Sequence, residues 1–413
     1  MLLSQPKNRK VLSNSQLLNE YLEKQIRDFV IGMIEAMLEL EIVELLCRRK
    51  YQRLKTTQSK RYYRNGYRKR YFLTLYCMLL QVRIPRCRGI RYNPILFRDK
   101  NILEPAMEQM LIQLWSDGNS YRDIQNFVKK VYGSGISLGF LSRMVGKIDE
   151  YVKQYHNRKL YYHYDSVYID GMEICIKELP VRQRSDHCRS NKIGKNAVVL
   201  AVLGQRQENK KIIREIIDYR IARTENEYSY TELLRSLRNR GLSPDKITVV
   251  VHDGEDSIRL GIKNVYGKEN IPEQECIFHK LVNLTKSVEN KMNETLFKKE
   301  LWYVYSSETK EEYEENKIKF IRKWKTEEPK AVRLFRVSDD RLTTKYNFDI
   351  EMHKSIHTNN PIERYFRELR RRIKAIGIFE TISSADRLLF LMIESINQRR
   401  GSLPSVPNLK FTH

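Results

Sequence analysis

Residues 166–176 have the sequence Ser-Val-Tyr-Ile-Asp-Gly-Met-Glu-Ile-Cys-Ile, which sets one carboxylate, Asp170, inside a largely apolar run. Apolar residues at alternating positions around it predict a β-strand. Further strands are predicted at 197–203, 212–219 and 247–252, with a short one at 275–278. A helix is predicted at 227–240 and ends at Gly241. This succession predicts a multidomain α/β protein built on a mixed sheet.

Two more carboxylates stand out beside Asp170. Asp253 directly follows the strand predicted at 247–252, and acidic residues at the carboxyl ends of such strands are where α/β sheets place ligands. Glu363 begins an amphipathic helix predicted at 361–375. Each has a structural alternative: an Asp-Gly turn for Asp170, a helix N-cap for Asp253, and a capping box for Glu363 with Asn360 as the N-cap.

The helix of Glu363 has a charged edge beside its buried stripe. The stripe consists of Ile362, Phe366, Leu369, Ile373 and Ile376. The neighbouring edge carries Glu363, Arg367, Arg370 and Lys374. One acid at the head of a basic edge is unusual for a purely structural helix. This arrangement favours a role for Glu363 as a metal ligand, with nucleic-acid phosphates bound along the basic edge.

Composition indicates an anionic partner. The 413 residues include 76 Lys and Arg against 51 Asp and Glu, a formal net charge of +25. Clustered basic residues favour nucleic acid. A membrane surface is the alternative, and the absence of an uncharged apolar run of about 18 residues argues against it. Six cysteines without a paired framework are typical of a reducing compartment, so we expect a cytoplasmic, DNA-associated protein.

The basic residues concentrate near the N-terminus. Residues 45–98 contain no acid and sixteen Lys and Arg, with tyrosines between them. We expect phosphate contacts from Arg64, Arg68, Lys69 and Arg70. A helix predicted at 16–46 precedes this stretch and is interpreted as a packing or dimer helix. Alternation around Phe72 and Leu80 predicts a hairpin that ends at Pro85.

Residues 104–152 resemble a helix-turn-helix. Ser120 and Asp123 form a capping-box-like start, and 133–135 (Gly-Ser-Gly) ends the first helix. A second helix from Ser137 would leave Arg143 and Lys147 outward, where a recognition helix contacts DNA. Any helical hairpin has this pattern, so the DNA-binding interpretation depends on the surrounding positive charge.

These motifs together resemble the Mutator-type transposases of bacterial insertion sequences. The matching residues occur in order over about 60–380: Tyr63-Arg64-Asn65-Gly66-Tyr67-Arg68, Val82-Arg83-Ile84-Pro85-Arg86, Ser120-Tyr121-Arg122-Asp123-Ile124, Val167-Tyr168-Ile169-Asp170-Gly171, Asp253-Gly254, Cys276-Ile277-Phe278-His279, and Thr358-Asn359-Asn360-Pro361-Ile362-Glu363-Arg364 through Arg370-Arg371-Arg372 to Ile376-Gly377-Ile378-Phe379. The resemblance implies an RNase H-like core with the catalytic and metal-binding triad Asp170, Asp253 and Glu363. It also implies an all-helical insertion over 281–345 before the glutamate.

Three carboxylates suit metal-dependent phosphoryl transfer on DNA. Two Mg²⁺ (or Mn²⁺) ions per site, held by carboxylates, activate the attacking hydroxyl and neutralise developing charge. The expected partners are double-stranded DNA, at the terminal inverted repeats and at the target, and a second copy of the chain. Two alternatives remain: a transposase-derived DNA-binding protein without catalysis, and an RNase H-like nuclease that cuts without joining.

Some residues depart from the family pattern or extend it. Tyr230 stands where the family would have tryptophan, and Asn359-Asn360 where it often has Thr-Asn before a small residue. Cys276 and His279, with His353 and His357, make four candidate ligands for a structural zinc. We favour the alternative, in which Cys276 is a small buried residue and His279 orients the second aspartate or contacts DNA.

The expected domain order follows from these assignments. A basic DNA-binding and dimerisation region over 1–100 precedes a helix-turn-helix-like region over 101–158. The catalytic core comprises 159–280 and 346–400, separated by the helical insertion over 281–345. Residues 401–413 form a tail.

The acid-free stretch leads to a salt-dependence prediction. If residues 45–98 supply much of the phosphate contact, deleting residues 1–100 flattens the slope of log affinity against log salt concentration, because fewer counterions are released on binding. Fluorescence anisotropy with a labelled duplex at several salt concentrations measures this slope. A slope identical to that of the full chain contradicts the assignment.

Overall fold

The computed structural model describes residues 14–52, 62–73, 79–95, 105–132, 136–178, 195–267, 269, 271–337 and 341–402. The chain divides into two compact units, Met1–Val145 and Gly146–His413. The division falls within the region expected to be helix-turn-helix-like. Among the described residues, no helix is long and apolar enough to cross a bilayer.

The first unit begins with a long helix packed on a β-hairpin. Helix α1 (Asn14–Leu46) precedes strands β1 (Tyr63–Leu73) and β2 (Leu79–Arg88), which pair antiparallel with Phe72 opposite Leu80. Leu38 of α1 packs against β2 in a small core with Leu80, Val82 and Ile84. The predicted helix and hairpin are therefore confirmed, and both strands are longer than predicted. Thr74 and Tyr76, also assigned to the hairpin, lie outside the described residues.

Short helices complete this unit: α2 (Pro105–Ser116), α3 (Tyr121–Tyr132) and α4 (Leu138–Gly146). The capping box is confirmed, since the Asp123 N–H donates to Ser120 Oγ (3.2 Å) and the Ser120 N–H to Asp123 Oδ2 (3.0 Å). The break predicted at 133–135 lies outside the described residues. The second predicted helix is observed as α4 but is shorter than expected, because it ends at Gly146, before Lys147, and Ile148 begins α5 (Ile148–Asn157).

The second unit is built on a mixed sheet. Its strands are β3 (Ser166–Glu178), β4 (Lys195–Glu208), β5 (Lys211–Ala222), β6 (Val250–His252), β7 (Glu273–Glu275) and β8 (Phe379–Thr381). The order is β5-β4-β3-β6-β7, and β8 pairs with the far end of β3. Strand β4 is antiparallel to β3 and β5, whereas β6 is parallel to β3 and β7. The mixed α/β fold is confirmed.

Helices cover both faces of the sheet. Val167 and Ile169 of β3 share a core with α6 (Glu227–Asn239) and α7 (Asp256–Tyr266). Successive strand residues point to opposite faces, so Tyr168 and Asp170 lie on the other side, where α13 (Asn360–Ile376) packs on β3. Helix α14 (Ile382–Arg399) packs on β5 and α5.

Four helices with their own core lie between β7 and α13. They are α8 (Ile277–Lys286), α9 (Glu294–Tyr305), α10 (Lys310–Trp324) and α11 (Pro329–Val337). Their core includes Phe297, Phe320 and Trp324. The strand predicted at 275–278 is wrong beyond Glu275, because Cys276 is the N-cap of α8 and Ile277 is already helical. The short helix α12 (Ile350–Ile356) leads into α13.

A buried charge network joins α5 to this sheet. The ring of His156 contacts Asp218 Oδ1 (2.7 Å) and Asp386 Oδ1 (3.5 Å), and Arg240 also binds Asp218. Burial alone lowers the pKa of His156, but the hydrogen bonds to Asp218 and Asp386 outweigh it and raise the pKa to about 9. The folded protein therefore holds the charged imidazolium.

This network predicts a pH-dependent stability. The folded pKa exceeds the unfolded value of about 6.5, so the stabilisation is complete below that pH and is lost as pH rises through about 9. We expect the loss to be on the order of 2 kcal/mol. Thermal melts at pH 6.5 and 9.5 should show a smaller drop in Tm for His156→Gln than for wild type. Equal drops in both proteins contradict the assignment.

Candidate active site

Asp170 lies in the middle of the central strand. It pairs with Ala201 on β4, and its Oδ1 accepts the Gly171 N–H at 2.8 Å. The parallel register between β3 and β6 places Tyr168 opposite Val251. Asp253, two residues beyond Val251, therefore leaves the end of β6 next to Asp170. The Asp-Gly turn considered for Asp170 is wrong, since the strand continues to Glu178.

Asp253 begins the connection from β6 to α7. Its Oδ1 accepts the Glu255 N–H at 2.9 Å, which holds the carboxylate against the turn. Gly254 has a φ of +89°, a conformation that L side chains rarely adopt. A Cβ there would lie 3.2 Å from Glu275 Oε2. The N-cap considered for Asp253 is not observed, because Glu255 occupies the N-cap of α7.

Glu363 comes from the first turn of α13. The N-cap of this helix is Asn359, with no side-chain capping bond, so the capping box centred on Asn360 is wrong. The Glu363 carboxylate instead approaches His279, with Oε1 3.7 Å from Nε2. Buried Ile362, Phe366, Leu369 and Ile373 fix the helix on the sheet, as predicted.

The neighbouring acids act electrostatically on Asp170. Burial and the charges of Asp253, Glu363 and Glu225 together raise the pKa of Asp170 to about 8, against the lowering effect of the hydrogen bond from the Gly171 N–H. The structure thus places Asp253, at the end of β6, and Glu363, at the start of α13, near enough to Asp170 of β3 for their charges to raise its pKa.

Sequence reasoning missed Glu225. This residue lies between β5 and α6, and its carboxylate occupies the space left by the side chain that Gly171 lacks. A Cβ on Gly171 would lie 2.6 Å from Glu225 Oε1. The Tyr230 hydroxyl donates to Glu225, so tyrosine at this core position supplies a donor to the carboxylate. No spacing rule in the sequence identifies Glu225 as the residue that fills the space beside Gly171.

A fifth acid adds to the charge. Burial raises the pKa of Glu255 to about 7, together with the charges of Glu225 and Asp253. These five acidic side chains form a local negative centre in a chain whose net charge is +25. Such a centre favours a cation, because bringing like charges together is unfavourable without one.

The donor set fits a hard divalent ion. Mg²⁺ and Mn²⁺ prefer carboxylate oxygens, and Asp170, Asp253 and Glu363 supply oxygens from three separate elements. Among the described residues, no three Cys, His, Asp or Glu side chains converge closely enough to hold an ion as they stand.

The candidate zinc ligands have other partners. Cys276 is buried, and its Sγ accepts the Asn359 N–H at 3.2 Å. Burial lowers the pKa of His357 to about 3, helped by the charge of Lys345, whose Nζ lies 3.4 Å from Nδ1. Burial likewise lowers the pKa of His353 to about 4. His279 contacts Glu363, so it lies at the carboxylate site.

The basic residues singled out for DNA contact differ in their surroundings. Arg68, Lys69, Arg143, Lys147, Arg367, Arg370 and Lys374 are exposed, whereas Arg64 and Arg70 are half-buried. Arg64 forms an ion pair with Glu39 of α1 at 2.7 Å. Lys147 lies between α4 and α5, where it is the N-cap of α5.

Known proteins resemble this chain along most of its length. The transposase for insertion sequence element IS905 of Lactococcus lactis is 26% identical over 392 residues, covering 94% of each chain. The transposase for IS256 in transposon Tn4001 of Staphylococcus aureus is 24% identical over 366 residues, covering 88% of this chain and 87% of the relative.

A solved structure gives a weaker likeness. The Drosophila P element transposase strand transfer complex matches at 11% identity and a TM-score of 0.28, covering 75% of this chain and 80% of that one. That score is too low to relate the two folds. The family described as "Transposase, Mutator family" matches residues 5–400, and the chain therefore belongs to the Mutator family of transposases.

Proposed function

We propose that this transposase cleaves DNA at the ends of its element and joins them to target DNA, with divalent metal ions held by Asp170, Asp253 and Glu363. One observation carries the proposal: the pKa of buried Asp170 is raised to about 8, in part by Asp253 and Glu363. A buried carboxylate with further acidic side chains near it favours binding of a compensating cation. Bound Mg²⁺ or Mn²⁺ ions, two per site, supply an activated nucleophile and charge neutralisation.

The sheet supports an RNase H-like assignment. Its order is β5-β4-β3-β6-β7, with only β4 antiparallel to its neighbours. In chain order this is 3-2-1-4-5, the arrangement of an RNase H-like core. On this assignment the insertion over 281–345 comprises most of α8 and all of α9, α10 and α11, and 159–280 and 346–400 form the catalytic core.

The chain's own residues then have separate tasks. The Gly171 N–H orients Asp170, and the Glu255 N–H orients Asp253. His279 restrains Glu363 from the side of α8. Arg367, Arg370 and Lys374 extend from Glu363 along the exposed edge of α13, where they would bind the phosphates of a DNA strand entering the site.

End recognition is proposed for the N-terminal residues. Arg68 and Lys69 on β1 and Arg143 on α4 are exposed and free to approach phosphate or base edges of the terminal inverted repeats. Arg64, in its ion pair with Glu39, supports the hairpin in this arrangement and would have to exchange partners to reach DNA.

Charge-neutral substitutions test the triad. Asp170→Asn, Asp253→Asn and Glu363→Gln each remove one carboxylate and keep its shape. Each should lower cleavage and strand transfer with Mg²⁺ by on the order of 100-fold or more, since each removes charge needed to hold the ions. DNA binding should persist, because its affinity comes from Lys and Arg. Plasmid-cleavage and gel-shift assays measure the two properties separately.

Glu173→Gln is the matched control. Glu173 is exposed on the same strand as Asp170, and the substitution removes the same charge. This variant should cleave DNA at nearly the wild-type rate.

Three other outcomes would contradict the proposal. If Glu363→Gln cleaves DNA at the wild-type rate at equal folded concentration, Glu363 is not part of the site. If the wild-type protein binds the DNA ends of the element but never cleaves them, the result supports a transposase-derived DNA-binding protein without catalysis. If it cleaves DNA without joining the ends to target DNA, the result supports an RNase H-like nuclease.

A further inference from the structure

Asn359 lies where the strand of Asp170 meets the helix of Glu363. It is the N-cap of α13 and is fully buried. Its backbone C=O accepts the Glu363 N–H at 3.2 Å, and its backbone N–H donates to Cys276 Sγ at the start of α8. Its side-chain Nδ2 donates to the C=O of Ile169, the residue before Asp170, at 3.5 Å. The carboxamide of Asn359 therefore lies against the peptide that leads into Asp170.

The side-chain oxygen of Asn359 is unsatisfied. Oδ1 is buried and has no hydrogen-bond partner among the described residues. An amide oxygen can only accept, and burying one without a donor is costly. His279 Nδ1, in the ring whose Nε2 approaches Glu363, is likewise buried without a partner. Since nearly all buried polar groups are paired, two exceptions on residues that contact Glu363 indicate that water or an ion belongs there.

The surroundings of Asn359 Oδ1 restrict what can donate to it. The Ile169 C=O is itself an acceptor, and Cys276 Sγ already accepts a backbone N–H. Ionised carboxylates have no proton to donate. Mg²⁺ held by a few carboxylates keeps several waters of its hydration shell. Such a water is a donor that suits a buried amide oxygen beside Asp170 and Glu363.

We propose that Asn359 Oδ1 accepts a hydrogen bond from a water in the hydration shell of a divalent ion held by Asp170, Asp253 and Glu363. Asn359 is then a positioning residue for that ion. The proposal rests on the proposed function, because it needs an ion at these carboxylates. Groups that act on a metal through its ligands typically change its affinity by about 10- to 100-fold.

Titration calorimetry of the DNA-free full chain with Mn²⁺ tests this role. Asn359→Leu keeps the shape of the side chain and removes both of its polar atoms. It should raise the Kd for Mn²⁺ by about 10- to 100-fold. Asn359→Ala, which cannot clash with its neighbours, should weaken Mn²⁺ binding similarly. Asn347→Leu changes an exposed asparagine shortly before α12 and should bind Mn²⁺ as wild type does.

Thermal melts separate this role from a purely structural one. Mn²⁺ should raise the Tm of both Asn359 variants less than that of wild type, because binding to the folded state is weaker. If Asn359 were only structural, its variants would have a lower Tm by the same amount with and without Mn²⁺. That result, or a wild-type Kd for Mn²⁺ in both variants, overturns the proposal.

Asp170→Asn shows which proposal has failed. It should lose Mn²⁺ binding, because it removes a carboxylate of the site. If it does so while both Asn359 variants bind as wild type does, the role of Asn359 is wrong and the metal site stands. If Asp170→Asn binds Mn²⁺ as wild type does, or the wild-type chain binds none, the metal site and the role of Asn359 are both wrong.

Discussion

Repulsion among carboxylates on the central sheet is the constraint on which the active-site architecture depends. Burying one acid on an inner strand is costly, and placing further acids beside it adds to the cost. The raised pKa of Asp170 expresses that cost. A fold keeps such an arrangement stable only if other elements hold each acid in position. In this protein the strand register and the turn at Gly254 position Asp253, and the start of helix α13 positions Glu363.

Each of these supports is a backbone feature. The parallel register of β3 and β6 determines that Asp253 follows the strand beside Asp170. The positive φ of Gly254 turns the chain away directly after Asp253. Helix α13 is fixed by its buried stripe, and its first turn presents Glu363 toward His279. The charges of Asp253 and Glu363 therefore act on Asp170, although position 363 lies 193 positions after position 170 in the chain.

The sequence predicted the periodic elements well and the contacts between distant residues poorly. Strands β3 to β5, helix α6 and the stripe of α13 have strong periodicity, which depends on local residues alone. Glu225 escaped prediction because its proximity to Gly171 depends on how the β5–α6 connection folds back over β3. The cap of α13 was misplaced by one residue, since Asn359 and Asn360 are equivalent as local signals. The second helix predicted from Ser137 ends earlier than expected because Leu141, Val145 and Ile148 keep helical spacing across Lys147, the single residue that separates α4 from α5.

A crystal structure of the protein with Mn²⁺ tests the central claim most directly. Anomalous difference density identifies Mn²⁺ without reference to activity. The account predicts peaks bounded by the carboxylates of Asp170, Asp253 and Glu363, with metal–oxygen distances of about 2.0–2.6 Å. Anomalous density elsewhere, or density at the two aspartates with Glu363 turned away to a purely structural contact, would contradict it.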